Sequence, residues 1–168
     1  MTAVQQRLET ERLVLRSLAR TDAIFVADLI SDEDVRRYLG GPVSPEQHEA
    51  TFARYSSGEN GGMVWVVETK NLQTSVGLVF LSPHRDNGEA ELSYQFRAQD
   101  WKRGYATEAA ARVLSHALGD LECVRVIAET QTANLPSRRL LTRLGMTEIS
   151  RHVRFGSEQS LYATGNPA

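Results

Sequence analysis

Apolar and polar positions change period several times along the chain, and each change marks an element. Glu11 to Arg16 (E-R-L-V-L-R) reads as a short strand. From Thr21 to Leu39 the spacing is helical: Ala23, Val26, Ala27 and Ile30 recur at i, i+3, i+4 and i+7, and Val35, Tyr38 and Leu39 resume after a polar break. Gly40-Gly41-Pro42 stops this stretch. Ser44-Pro45-Glu46 opens a second helix to about Ser56, with Pro45 in the first turn, where its missing N–H is harmless. A loop at Gly58-Glu59-Asn60-Gly61-Gly62 precedes two strands, Met63–Glu68 and Ser75–Leu81, and the Asn-Gly within Pro83–Gly88 predicts a hairpin turn.

The pattern is clearest after that turn. Ala90, Leu92, Tyr94, Phe96 and Ala98 alternate with Glu91, Ser93, Gln95 and Arg97, giving a strand with one apolar and one polar face. Ala106, Ala109, Ala110, Val113, Leu114, Ala117 and Leu118 then follow the helical repeat, and Gly119 is placed to end it. Glu122 to Thr130 is strand-like again. Strand, helix and strand at these lengths imply a right-handed βαβ crossover between parallel strands. A last helix from Asn134 to Leu144, closed by Gly145, leads to a terminal hairpin of Met146–Arg154 and Gln159–Thr164. Hairpins followed by a parallel βα unit predict a mixed sheet with helices on both faces.

Composition narrows the setting. A chain of 168 residues, 41% hydrophobic, suits one domain spanning residues 1–168. A net charge of −2 supplies no field to recruit nucleic acid or an anionic membrane. Cys123 has no cysteine partner, which excludes an internal disulfide and suits a reducing cytoplasm; its apolar surroundings predict a buried, inert thiol. No apolar run approaches the roughly 20 residues that span a bilayer, and the N-terminus lacks the apolar core of a signal peptide. A cytoplasmic protein is the expectation.

One stretch raises a chemical question. Residues 99–110 read Q-D-W-K-R-G-Y-A-T-E-A-A, so Lys102, Arg103 and Gly104 fall between the end of a strand and the start of the best helix. Helix N-termini leave backbone N–H groups unpaired and carry partial positive charge, which makes them anion sites. Gly104 lets the backbone approach a ligand or adopt positive φ. On spacing alone an anion seat and a solvated basic loop are both open. Other phosphate and catalytic motifs are absent: no Walker-type loop, no dinucleotide fingerprint and no nucleophile elbow. His48, His84, His116 and His152 are scattered without zinc spacing, and His116 lies off its helix's apolar stripe, so no metal is expected.

The residues 91–97 (E-L-S-Y-Q-F-R) and 101–109 (W-K-R-G-Y-A-T-E-A) closely resemble the acetyl-CoA motif of the GNAT N-acetyltransferases. The opening L-E-T-E-R-L-V-L-R of residues 8–16 is similar to the first strand of the RimJ/RimL-like branch, the ribosomal-protein N-terminal acetyltransferases. Residues 132–137, the Leu144-Gly145-Met146 step and the ending Leu161-Tyr162-Ala163 resemble that branch's later motifs, so the likeness runs along almost the whole chain. It implies an α/β fold (α+β in some schemes): a GNAT-like, mostly antiparallel twisted sheet of about seven strands around a parallel βαβ unit, with helices on both faces. It also implies acetyl-CoA as cosubstrate, a primary amine as acceptor, and a monomer or homodimer.

Residue by residue, the resemblance seats the pyrophosphate of coenzyme A on Trp101, Lys102, Arg103, Gly104, Tyr105, Ala106 and Thr107. The pantetheine arm would pair with the strand at Tyr94, Phe96 and Arg97, near Asn134. Trp101 stands where many members carry Gln or Arg, and Met146 where an aromatic residue is usual. Backbone N–H groups around Phe96 are implied as oxyanion donors. Glu91, on the polar side of its strand, is the candidate base, with a solvated strand carboxylate as its alternative. Ser137 is the candidate proton donor to the departing thiolate, or else a first-turn hydroxyl bonded to the backbone. Glu158 does not fall in register for catalysis, and Glu108 reads as a first-turn acid favoured by the helix dipole. Trp65 and Tyr94 read as core or cleft walls. Three functions remain open: an amine acetyltransferase acting on a peptide α-amine or a small amine, a catalytically silent coenzyme A-binding module, and, disfavoured by charge, a nucleic-acid binder.

Overall fold

The structure is a computed structural model that describes residues 7–58 and 61–165. Glu59 and Asn60 of the expected loop lie outside the described residues, as do residues 1–6 and 166–168. Eight strands form one sheet: β1 (Leu8–Glu9), β2 (Leu13–Ser17), β3 (Met63–Thr69), β4 (Ser75–Pro83), β5 (Ala90–Phe96), β6 (Val126–Gln131), β7 (Thr147–Arg154) and β8 (Ser157–Ala163). Their order is β1-β2-β3-β4-β5-β6-β8-β7, and among the described residues only the β5–β6 pair is parallel.

Helices α1 (Ala23–Ser31) and α3 (His48–Ser56) cover one face, where Val26, Ile30 and Phe52 pack on Val66, Leu78 and Phe80. On the other face α4 (Tyr105–Leu118) and α5 (Leu135–Arg143) pack Ala109, Val113 and Leu141 against Leu15, Trp65 and Leu92. β3 therefore reads as a continuous apolar run, because Val64 and Val66 face one layer and Trp65 and Val67 the other. Gly77 lacks a side chain for a packing reason: a Cβ there would lie 2.5 Å from the Phe96 ring.

Several expectations are corrected. The opening strand is a hairpin, Leu8 opposite Leu15 and Glu9 opposite Val14, which makes the strand number eight; a two-residue β1 is too short to show a period. The helical stretch from Thr21 to Leu39 divides into a 3-10 turn (Arg20–Asp22), α1 and α2 (Glu33–Arg36). Asp32 divides it: its backbone is extended, and its carboxylate accepts the N–H groups of Asp34 at 2.8 Å and Val35 at 3.0 Å. β6 begins at Val126 rather than Glu122, since Glu122 has φ of 53° and Cys123 N–H still bonds the Ala117 carbonyl at the end of α4. Cys123 is consequently part-exposed rather than buried. His116 is buried after all, edge-on to Trp65 with ring centroids 6.0 Å apart and Nδ1 2.7 Å from Asp120. Among the described residues no helix is long and apolar enough to cross a membrane.

Candidate active site

The site begins where two parallel strands part. β5 and β6 share only the pairs Ala90–Val126 and Glu91–Ile127. Beyond them β5 runs on to Phe96 paired with β4 alone, and β6 to Gln131 paired with β8 alone. A V-shaped opening results, walled by residues 92–96 of one strand and 128–131 of the other. Gln95 is held on the α1–α3 side by its bond to the Tyr55 hydroxyl at 3.1 Å.

The basic loop lies at the open end of β5. Trp101 Nε1 donates to the Phe96 carbonyl at 2.9 Å, and Arg97 Nε donates to the buried Asp100 carboxylate at 2.7 Å. Lys102, with φ of 63°, and Gly104, with φ of 79°, are both left-handed, and Lys102, Arg103 and Gly104 are all exposed. Gly104 is the N-cap of the fourteen-residue α4, and no side chain caps that end. The first-turn N–H groups of α4, at Tyr105, Ala106 and Thr107, are thus of the kind that holds an anion, beside two cations. Glu108 is not merely a dipole-favoured acid. Burial works to raise its pKa, but bonds from Thr10 and Arg12 outweigh burial and hold it below the usual carboxylate range.

Across the opening, Asn134 Oδ1 accepts the Ser137 N–H at 3.3 Å and so caps α5. The Ser137 hydroxyl does not bond the backbone as one sequence reading had it; it lies 2.7 Å from the Tyr94 hydroxyl, within hydrogen-bond reach. Burial pushes the Tyr94 pKa up to about 12, so this pair stays protonated at neutral pH.

Glu91 stands at the last paired rung before the strands part. Burial raises its pKa above the ordinary carboxylate value; nearby His84 opposes the shift and the Glu129 charge reinforces it. Glu129 is nearly enclosed, with His84 Nε2 at 3.4 Å and Arg154 Nε at 3.8 Å. His84 Nδ1 accepts the Asp86 N–H at 3.3 Å, so neutral His84 carries its proton on Nε2, facing Glu129. Among the described residues His152 Nε2, though 3.3 Å from Glu129, has no hydrogen-bond partner. Among the described residues no three His, Cys, Asp or Glu side chains are grouped to hold a metal ion.

The strand and loop residues named from sequence therefore gather along one opening, with Glu91 at its apex and Ser137 and Asn134 on its far side. Glu158 is exposed and pairs with Arg151 at 3.4 Å, and Trp65 is core. Sequence reasoning missed Asp100, Glu129 and the His84–His152–Arg154 group. Asp100 had a local signal, its i,i+3 spacing from Arg97; the others come from three separate segments and had none. Cavity size is no guide, since a hollow of about 690 Å³ lies at the opposite end of the sheet, among Met63, Leu81, Ala90 and Val124.

Against known families, residues 12–147 match the acetyltransferase (GNAT) domain model. The chain belongs to the GNAT family. As such it is an acetyl-CoA-dependent N-acetyltransferase. This GNAT enzyme is 29% identical over 166 residues to the uncharacterized N-acetyltransferase YoaA of Bacillus subtilis, covering 95% of this chain and 90% of the relative. Its fold matches a solved GNAT acetyltransferase from Bacillus anthracis with a TM-score of 0.83 at 24% identity, over 94% of this chain and 97% of the other. A spermidine N-acetyltransferase from Vibrio cholerae, solved with CoA and spermine, superposes with a TM-score of 0.78 at 18% identity, over 92% and 95% of the two chains.

Proposed function

We propose that this enzyme acetylates the α-amine of a peptide or protein, with the acetyl-CoA arm lying in the opening between β5 and β6. The observation that carries the reading is the parting of those strands one rung after Glu91, next to an uncapped helix N-terminus flanked by Lys102 and Arg103. The residues fit the cosubstrate: a diphosphate suits the exposed N–H groups at Gly104 to Thr107, and Asn134 faces the same opening from α5. Acetyl-CoA supplies an activated acyl group on a thioester.

The chain's own groups do the rest. Backbone N–H groups near Phe96 are placed to stabilise negative charge developing on the acyl oxygen. Glu91, its pKa raised by burial, takes the proton that the amine sheds, with Glu129 and His84 behind it. Ser137, backed by the Tyr94 hydroxyl, holds a proton for the departing thiolate. The RimJ/RimL-like motifs favour an α-amine, and so does a comparison of acidities. An α-amine titrates near about 7.7–8.0 and lysine near about 10.4, so roughly one α-amine in six to eleven is neutral at pH 7. The lysine amine is about 2.5 units, or about 3.4 kcal/mol, further away.

Steady-state rates on paired peptides test this: one with a free N-terminus, the other N-blocked with an internal lysine, and spermidine as a third acceptor. The free N-terminus is expected to be acetylated fastest. Faster turnover of the blocked lysine peptide refutes the α-amine, and faster turnover of spermidine transfers the assignment to small polyamines, which the neighbouring carboxylates Glu91 and Glu129 would suit.

A further inference from the structure

The turn between β1 and β2 reaches across to the start of α4, and Arg12 is at its tip. Arg12 Nη1 donates to the Arg103 carbonyl at 3.0 Å. Its Nε and backbone N–H both bond Glu108, at 2.7 Å and 3.0 Å, and its guanidinium stacks 4.8 Å from the centre of the Tyr105 ring. Thr10 Oγ1 adds a bond to the same carboxylate at 2.5 Å. The turn is itself braced: Lys70 Nζ donates to the Thr10 carbonyl at 2.6 Å, and Lys70 N–H to the Arg12 carbonyl at 2.9 Å. The bonds from Thr10 and Arg12 to Arg103 and Glu108 join residues 91 to 98 positions apart in the chain.

Two consequences follow for an anion at the helix N-terminus. A trans peptide is planar, with its carbonyl and N–H opposed, so pinning the Arg103 carbonyl turns the Gly104 N–H away from Arg12 and fixes the peptide that leads into the left-handed Gly104. In addition, a bare Glu108 carboxylate in the first turn would repel a diphosphate, and Arg12 with Thr10 occupies both its oxygens. With Nη2 2.7 Å from Glu108 Oε2, all three nitrogens of the guanidinium are committed to protein partners.

We infer that Arg12 is a positioning residue for acetyl-CoA, acting through the Arg103–Gly104 peptide and Glu108 rather than on the ligand. This rests on the reading of residues 101–107 as the phosphate seat.

The test compares acetyl-CoA with S-acetylpantetheine, which lacks the nucleotide and its phosphates, for wild type, Arg12→Met and Arg12→Lys. Arg12→Met is expected to raise KM for acetyl-CoA at least tenfold, with kcat at saturation within twofold. Its kcat/KM for S-acetylpantetheine should stay within twofold of wild type. Arg12→Lys keeps the charge without the fork and should not restore the KM. An unchanged KM, an equal loss on both thioesters, or full rescue by lysine overturns the inference. If Arg12→Met does not fold, Thr10→Val decides: it should raise KM for acetyl-CoA severalfold and spare S-acetylpantetheine, and no change refutes the clamp. Failure of the underlying reading looks different, because wild type would then use both thioesters with equal KM.

Discussion

Gly104 offers the most direct perturbation of the proposed phosphate seat. Its φ of 79° and ψ of 4° place it in the left-handed region, where an L-residue costs about 1–2 kcal/mol. A Cβ there would lie 3.2 Å from Arg12 Nη2, closer than comfortable contact, and the guanidinium could retreat only by loosening its 3.0 Å bond to the Arg103 carbonyl. For a chain of this size each kcal/mol moves Tm by about 2–4 °C, so Gly104→Ala is expected to melt about 2–8 °C below wild type. Gly104→Val adds a branched side chain, which the left-handed region tolerates worst, at the mouth of the first-turn N–H groups. It is expected to keep its far-UV circular dichroism while acetyl-CoA binding is lost from calorimetric titration. A valine variant that is folded and binds acetyl-CoA with wild-type affinity refutes the seat. An alanine variant that melts with wild type refutes the backbone conformation on which it depends.

Glu91→Gln should lower kcat about 10²-fold at pH 7, with the deficit shrinking above pH about 8, where an α-amine deprotonates unaided. Because burial raises the Glu91 pKa, its stabilising contribution is full below the unfolded value of about 4.3 and is lost as pH rises through the folded value. The glutamine variant should therefore melt no lower than wild type at pH 7; a clear fall in Tm, or an unchanged kcat, contradicts the role. Asp22 carries the opposite sign. Burial alone would raise its pKa, but the two Arg16 bonds at 2.8 Å and the Ala19 N–H hold it below its usual value. Its contribution is present above the unfolded value of about 3.9 and disappears as pH falls through the folded one. Asp22→Asn should cost roughly 1.5–3 kcal/mol at pH 7 in urea unfolding, converging on wild type in strong acid; a constant gap across pH argues against the ion pair.

The elements that carry the site were legible because their signals are local. Alternation from Ala90 to Phe96 marked β5, the helical stripe from Ala106 to Leu118 marked α4, and a glycine between basic residues and that stripe raised an anion seat as one of two readings, each within about a dozen residues. Asp32 also had a local cause, a short carboxylate that bonds the two N–H groups ahead of it, although its backbone break read only as a polar interruption.

What needed the tertiary structure is whatever depends on register between distant strands. No period in β5 or β6 says that they part after Glu91 and Ile127, beyond which each strand stays paired along its other edge, to β4 or to β8. The enclosure of Glu129 joins His84 from the β4–β5 turn with His152 and Arg154 from β7, side chains that read as isolated polar residues in their own segments. Arg12 and Glu108 look like a surface cation and a dipole-favoured acid until the β1–β2 hairpin is folded against α4. Burial and charge neighbours alter an acid's chemistry only once the chain has closed around it, so the same glutamate letters at 91, 108 and 129 acquire three different environments that no local pattern encodes.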